Sequence, residues 1–217
     1  MAPEESDAVR IGRALLSVDD KTGLVDLART LERQGTELWA TGGTRAALVS
    51  EGIKVRPAEE LSGISDWFAG RVKTLHPAIL GGILAPRTAA GVKELQERKL
   101  LPFDLVVVNL YPFERHLEEA PGDPAREEFV DIGGVTLARA AAKNHRWLTV
   151  LSDPADYGPF LEEFRTLGGS VRRATRAALA VRAFERTAAY DAAIASGLLA
   201  SEAPGPFPSH LLLRREE

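Results

Sequence analysis

The chain contains no cysteine, which excludes disulfides, thiolate metal sites and a cysteine nucleophile. No run approaches the roughly 20 apolar residues that a membrane-crossing helix needs. The first ten residues are acidic and lack the apolar stretch of a signal peptide. A net charge of −4 gives no broad cationic surface for nucleic acid. The four histidines, His76, His116, His145 and His210, have no ligand spacing, so no catalytic metal is expected. A GxSxG nucleophile elbow is missing, as are a Walker A loop and a GxGxxG dinucleotide fingerprint. Internal repeats and low-complexity blocks are also absent. The lack of cysteine fits a cytoplasmic protein.

What is present is an ordinary globular composition: 217 residues, 45% hydrophobic and 27% charged, enough for one sizeable core. Residues 1–10 read as a loose polar arm, 11–200 as the domain, and 201–217 as an extended proline-rich tail. Arg13–Val18, Glu37–Ala40, Ile53–Arg56, Asp104–Asn109 and Trp147–Leu151 read as strands. Apolar spacing predicts a helix over Leu24–Gln34; Ala89–Leu100 reads as a further helix, Arg45–Ser50 as a short one and 124–130 as a short acidic one. Asp153-Pro154 opens another, as N-cap and first helical residue. Strand and helix alternate, which implies right-handed crossovers and a parallel sheet. The expected fold is therefore α/β, a three-layer α/β/α arrangement around a five-stranded, mainly parallel sheet. The Ala-rich stretch Val171–Ala200 adds a C-terminal helical extension. In it, Leu179, Phe184, Ala188 and Ile194 are positioned to pack on the domain or on another subunit. Residues 57–87 read as irregular.

Open parallel sheets bind ligands beyond the carboxyl ends of their strands. Lys21 follows the first strand and Thr41-Gly42-Gly43-Thr44 the second. Arg71, Lys73 and Thr74 lie on the long loop after the third, and Asn109 and Tyr111 close the fourth. Three cations gathered in an acidic protein point to an anion. A Gly-Gly turn entering a helix suits phosphate, because its N–H groups are bare and the helix dipole favours negative charge. Asp131-Ile132-Gly133-Gly134 opens a second helix, ending at Lys143-Asn144-His145. Its N–H groups suit an oxygen that gains charge, and Asp131 and Lys143 are proton carriers. Each motif also has a plainer reading: a strand-to-helix turn, a solvated basic loop, a capped surface helix. Twelve residues of straight helix span roughly 18 Å, so Asp131 and Lys143 share a site only if the chain bends.

In order, LLSVDDKTGLVDLA, ATGGT, GRVKTLHP, NLYPF and DIGGVTLARAAAKNH resemble the IMP cyclohydrolase domain of the bifunctional purine biosynthesis (AICAR transformylase/IMP cyclohydrolase) family, over about residues 12–200. The resemblance implies a methylglyoxal-synthase-like fold and closure of 5-formamidoimidazole-4-carboxamide ribotide (FAICAR) to IMP with loss of water. It implies Lys73, Tyr111, Asp131 and Lys143 as the catalytic set. Lys21, Thr22, Thr41, Gly42, Gly43, Thr44, Arg71, Thr74, Asn109, Ile132, Gly133 and Gly134 become substrate-binding. Asp19 stands where some relatives carry Ser near the phosphate, and is left out of the set because an acid there repels phosphate. A homodimer without nucleic-acid or membrane partners is implied, and no folate-dependent activity is expected in this stretch. The alternatives are a non-catalytic regulatory module of the same fold and methylglyoxal synthase. The latter needs a carboxylate in the phosphate loop, which TGGT lacks.

Overall fold

The computed structural model describes residues 7–63, 67–111, 113 and 126–199. Along the chain run β1 (Ala8–Arg10), β2 (Arg13–Ser17), α1 (Leu24–Arg33), β3 (Glu37–Ala40), α2 (Gly42–Ser50), β4 (Arg56–Pro57), α3 (Glu59–Ser62), α4 (Pro77–Leu84) and α5 (Ala89–Glu97). These are followed by β5 (Leu105–Val108), α6 (Ile132–Lys143), β6 (Thr149–Leu151), α7 (Tyr157–Thr166), β7 (Ser170–Arg172) and α8 (Arg173–Leu199).

The central strands are short and apolar because both faces of the sheet are covered. Five of them pair in the order β4-β3-β2-β5-β6, every pair parallel. Alternate residues feed two separate cores. Ala14, Leu16, Leu38, Leu105 and Val107 pack with Leu24, Leu27 and Leu31 of α1 and Phe160 and Phe164 of α7. Leu15, Trp39, Val106, Val108 and Val150 pack with Ile79 and Ile83 of α4 and Leu137, Ala138 and Ala141 of α6. The architecture is thus a three-layer α/β/α domain, carrying α8 as a long helix against α6 and β6. No helix among the described residues is long and apolar enough to cross a membrane.

Several boundaries differ from the sequence reading. Residues 8–10, expected in a loose arm, form β1 and pair antiparallel with β7, Val9 opposite Val171. Val171 is therefore a strand residue rather than the start of the last helix. The third strand of the reading shifts from Ile53–Arg56 to Arg56–Pro57, in register with Trp39 and Ala40. Ile53 and Val55 are buried ahead of that pairing, so their apolar character marks core packing rather than a ladder. The irregular stretch 57–87 contains α3, a 3₁₀ turn at Trp67–Gly70 and α4. Its α4 is opened by the His76 ring, which accepts the Ala78 N–H, and by Pro77. The expected acidic helix before Asp131 is a 3₁₀ turn over Arg126–Phe129, and its residues 124–125 lie outside the described residues, as does the tail 201–217. On α8 the buried face is Leu179, Ala180, Ala183, Thr187 and Tyr190. Phe184 is exposed and Ala188 lies on the same outer side, because a five-residue step from 179 turns a helix too far to stay on one face.

One buried side chain fastens α8. Arg176, 1% exposed, donates to the carbonyls of His145, Arg146, Val171 and Asp7. A single guanidinium thereby ties α8 to the end of α6, to β7 and to the start of the chain.

Candidate functional site

Beyond the carboxyl ends of β2, β3 and β5 lies a cavity of about 770 Å³, within the range of small-molecule sites. Four pieces of chain wall it. The first is the end of β2 and β3: Ser17, Thr41, Gly42 and Gly43. Thr41 is the N-cap of α2 in an extended conformation, yet its side chain does not cap the helix. Its hydroxyl donates instead to the Ser17 hydroxyl at 3.0 Å. Among the described residues no side chain caps the first-turn N–H groups of α2, an arrangement that suits an anion. The helix starts at Gly42, so the two glycines lie inside its first turn rather than in a turn ahead of it. A Cβ added at either glycine meets no protein atom within 4 Å.

The second piece supplies Arg71, Lys73 and Thr74. Arg71 forms an ion pair with Glu128, which holds the guanidinium firmly in its charged form. Thr74 is buried against the start of α6, where its hydroxyl would meet a Cβ on Gly133 at 2.6 Å. The third piece is Tyr111, whose ring packs 5.4 Å from that of Phe129. The fourth is the 3₁₀ turn Arg126–Phe129 with the head of α6, including Glu127, Glu128 and Asp131 to Gly134.

At that head Asp131 acts as a capping residue. Its Oδ1 accepts the Gly134 N–H at 2.7 Å, as Asp favours at an N-cap. Its own N–H donates to the Tyr190 hydroxyl at 2.7 Å. Burial raises the Asp131 carboxyl above its ordinary value, and the charge of Asp19 adds to the rise. The Gly134 and Tyr111 N–H groups oppose it. A carboxyl lifted in this way is a better proton acceptor than an ordinary one once ionised.

Of the residues expected at the site, the cavity gathers Thr41, Gly42, Gly43, Arg71, Lys73, Thr74, Tyr111, Asp131, Ile132, Gly133 and Gly134. Five do not line it. Thr44 is buried and exchanges two hydrogen bonds with the Val18 backbone, finishing strand β2. The Asn109 side chain accepts the N–H groups of Asp19 and Asp20 and donates to the Asp20 carbonyl, so it shapes the loop after β2. Thr22 N–H closes a turn on Asp20 Oδ1, and Lys21 Nζ reaches the Asp19 carbonyl at 3.0 Å. Lys143 is the exposed last residue of the unbroken α6. The chain does not bend between it and Asp131, so roughly 18 Å of helix separates them.

The sequence reading missed Ser17, Glu127, Glu128, Tyr190 and the electrostatic effect of Asp19. Ser17 carried a usable signal, as the last residue of the first central strand. Glu127 and Glu128 stand just ahead of Asp131 but sit among ordinary surface acids. Tyr190, a lone aromatic in an Ala-rich helix 59 residues from its partner, carried none.

Comparison with known proteins agrees with this fold. A family model described as MGS-like domain matches residues 23–136, and one described as AICARFT/IMPCHase bienzyme matches residues 141–216. The bifunctional purine biosynthesis protein PurH of Rhizobium meliloti is 46% identical over 208 residues, 95% of this chain. That of Cereibacter sphaeroides is 47% identical over 203 residues, 92% of this chain. The chain spans 38% of the length of both relatives. Among solved structures, that of ForH superimposes with a TM-score of 0.77 at 38% identity, covering 86% of this chain and 98% of ForH.

Proposed function

The chain belongs to the MGS-like domain family and is a homologue of the bifunctional purine biosynthesis proteins; from that footing we propose that it is an IMP cyclohydrolase, closing FAICAR to IMP with loss of water. The observation that carries this reading is the meeting of two helix N-termini in one cavity. One is bare and roomy, fit for a phosphate. The other presents a buried, proton-hungry carboxylate and a Gly-Gly backbone, fit for a carbonyl oxygen gaining charge. A binding module needs only the first. The relatives' names, which are those of a biosynthetic protein, also favour a catalyst over a non-catalytic regulatory module.

In this reading the ribotide phosphate sits at Thr41, Gly42 and Gly43, with Arg71 and Lys73 supplying positive charge. The carboxamide nitrogen attacks the formyl carbon of the same molecule, so the site need only hold the productive rotamer. Asp131, ionised, accepts the proton that nitrogen releases. The formyl oxygen, now negative, is met by backbone N–H groups of α6. Lys73, helped by Tyr111, then protonates that oxygen to a hydroxyl; the protonated Asp131 returns the proton it took so that the hydroxyl leaves as water, and the former formamide nitrogen gives its proton to the neutral Lys73, which restores both groups. No step requires a metal or cofactor. Lys143 takes no part within the same chain. The family resemblance further supports a cytoplasmic homodimer, which light scattering at micromolar concentration would check. Incubating the chain with FAICAR and following IMP by absorbance and chromatography tests the reading. IMP formed at a rate proportional to protein supports it, and FAICAR bound but unchanged would replace it with the regulatory module.

A further inference from the structure

Tyr190 belongs to α8, outside the cavity wall, yet it holds the residue at the centre of the proposed chemistry. Its hydroxyl is a two-way link. It accepts the Asp131 N–H at 2.7 Å and approaches the Phe129 carbonyl as a donor at 3.4 Å. The side chain is 8% exposed, and burial pushes its phenol up to about 12, so the proton needed for donation stays in place at any working pH. The two residues it touches bracket the bend from the 3₁₀ turn into α6. The backbone at Asp131 is extended, φ −81° and ψ 106°, whereas the next residue is helical. The direction of that bend sets where the Asp131 carboxyl and the first N–H groups of α6 point.

Tyr190 is itself held firmly. It continues the buried face Leu179, Ala180, Ala183 and Thr187, and α8 makes its most extensive packing with α6. Among the described residues no other side chain accepts from the Asp131 N–H, so without the hydroxyl a half-buried donor loses its partner. Resting on the cyclohydrolase reading above, we infer that Tyr190 is a positioning residue for Asp131. Its hydroxyl fixes the bend at which the carboxylate meets substrate, and it never touches substrate itself.

The test is Tyr190→Phe, which keeps the ring and removes only the hydroxyl, beside Leu179→Ala on the same helix as a stability control. For Tyr190→Phe, kcat with FAICAR should fall about ten-fold while KM changes little, since small misplacements of a reacting group are costly to turnover. Amide hydrogen exchange at Asp131 should quicken. Leu179→Ala should lower the melting temperature at least as much and leave kcat near that of the parent protein. Wild-type kcat in Tyr190→Phe, a change confined to KM, or a loss shared equally by Leu179→Ala overturns the inference. Should the parent protein make no IMP, the proposed function falls separately. The exchange experiment then decides on its own, because unchanged protection at Asp131 overturns the positioning role and faster exchange with IMP binding retained supports it.

Discussion

The two helix starts that meet in the cavity are built on opposite principles. The head of α2 leaves its N–H groups uncapped, and its glycines have open space where a side chain would stand. The head of α6 is finished within the protein: Asp131 caps it, Tyr190 holds its N–H, and both glycines are hemmed in. At Gly133 a Cβ would lie 2.6 Å from Thr74 Oγ1, and at Gly134 only 2.3 Å from Asp131 Oδ2. The first pair of glycines faces open space, which in the proposed function holds the phosphate. The second answers to the fold. Identical dipeptides therefore carry different information, and substitution should separate them.

The largest effect is expected at Asp131→Asn. The amide still caps α6, so melting should stay close to the parent, while turnover falls roughly 10²-fold or more. The charge change also has a stability sign. Burial raises the folded-state carboxyl, so ionisation costs stability. That cost is absent below the ordinary carboxylate range and grows as pH rises through the raised value. Asp131→Asn should flatten this decline, as seen by denaturant titration at several pH values. Turnover surviving in this variant would remove the reacting role from the α6 head.

The glycine pairs provide the direct contrast. Gly43→Ala should weaken nucleotide binding about ten-fold by filling the room left for phosphate, while stability holds or rises, Ala being the better helix former by about 1 kcal/mol. Gly133→Ala should cost about 1–3 kcal/mol of stability, since Thr74 must move. Calorimetry with IMP and chemical unfolding together read both. If the two variants behave alike, the distinction is lost.

A smaller effect is expected at Asp19→Asn. The Asp19 charge helps raise Asp131, and in the proposed mechanism Asp131 serves as a base only when ionised. The acid limb of the kcat profile should move to lower pH when that charge is removed. The smallest is at Glu128→Gln. It frees Arg71 from an exposed ion pair that solvent screens heavily, so KM for FAICAR should fall by at most a few-fold.

The sequence revealed most where one physical signal decides the outcome. RALLS, ELWA and LVVV are apolar because the sheet is covered on both faces, and all three are central strands. Loops following them had to share one rim, so the cavity was legible from topology together with its cationic residues. Signals shared between two causes misled. Ile53 and Val55 are apolar because they are buried, not because they are paired. The glycines of TGGT suggested a turn by propensity, but packing of Leu48 and Thr44 carries the helix back to Gly42. Ala8–Arg10 and Ser170–Arg172 have no alternation to mark them, and they become strands only by meeting each other. Lys143 shows the limit of transferring a motif whole, since a straight helix separates its two ends.

Arg176 spends its hydrogen bonds on backbone carbonyls, whereas Arg71 pairs with a carboxylate at the surface. Mobile ions screen exposed charge pairs and scarcely reach buried dipoles. Raising ionic strength should therefore loosen the rim of the cavity, where the proposed anionic substrate would enter, and leave the anchorage of α8 unaltered. The entrance responds to its medium, and the strut behind it does not.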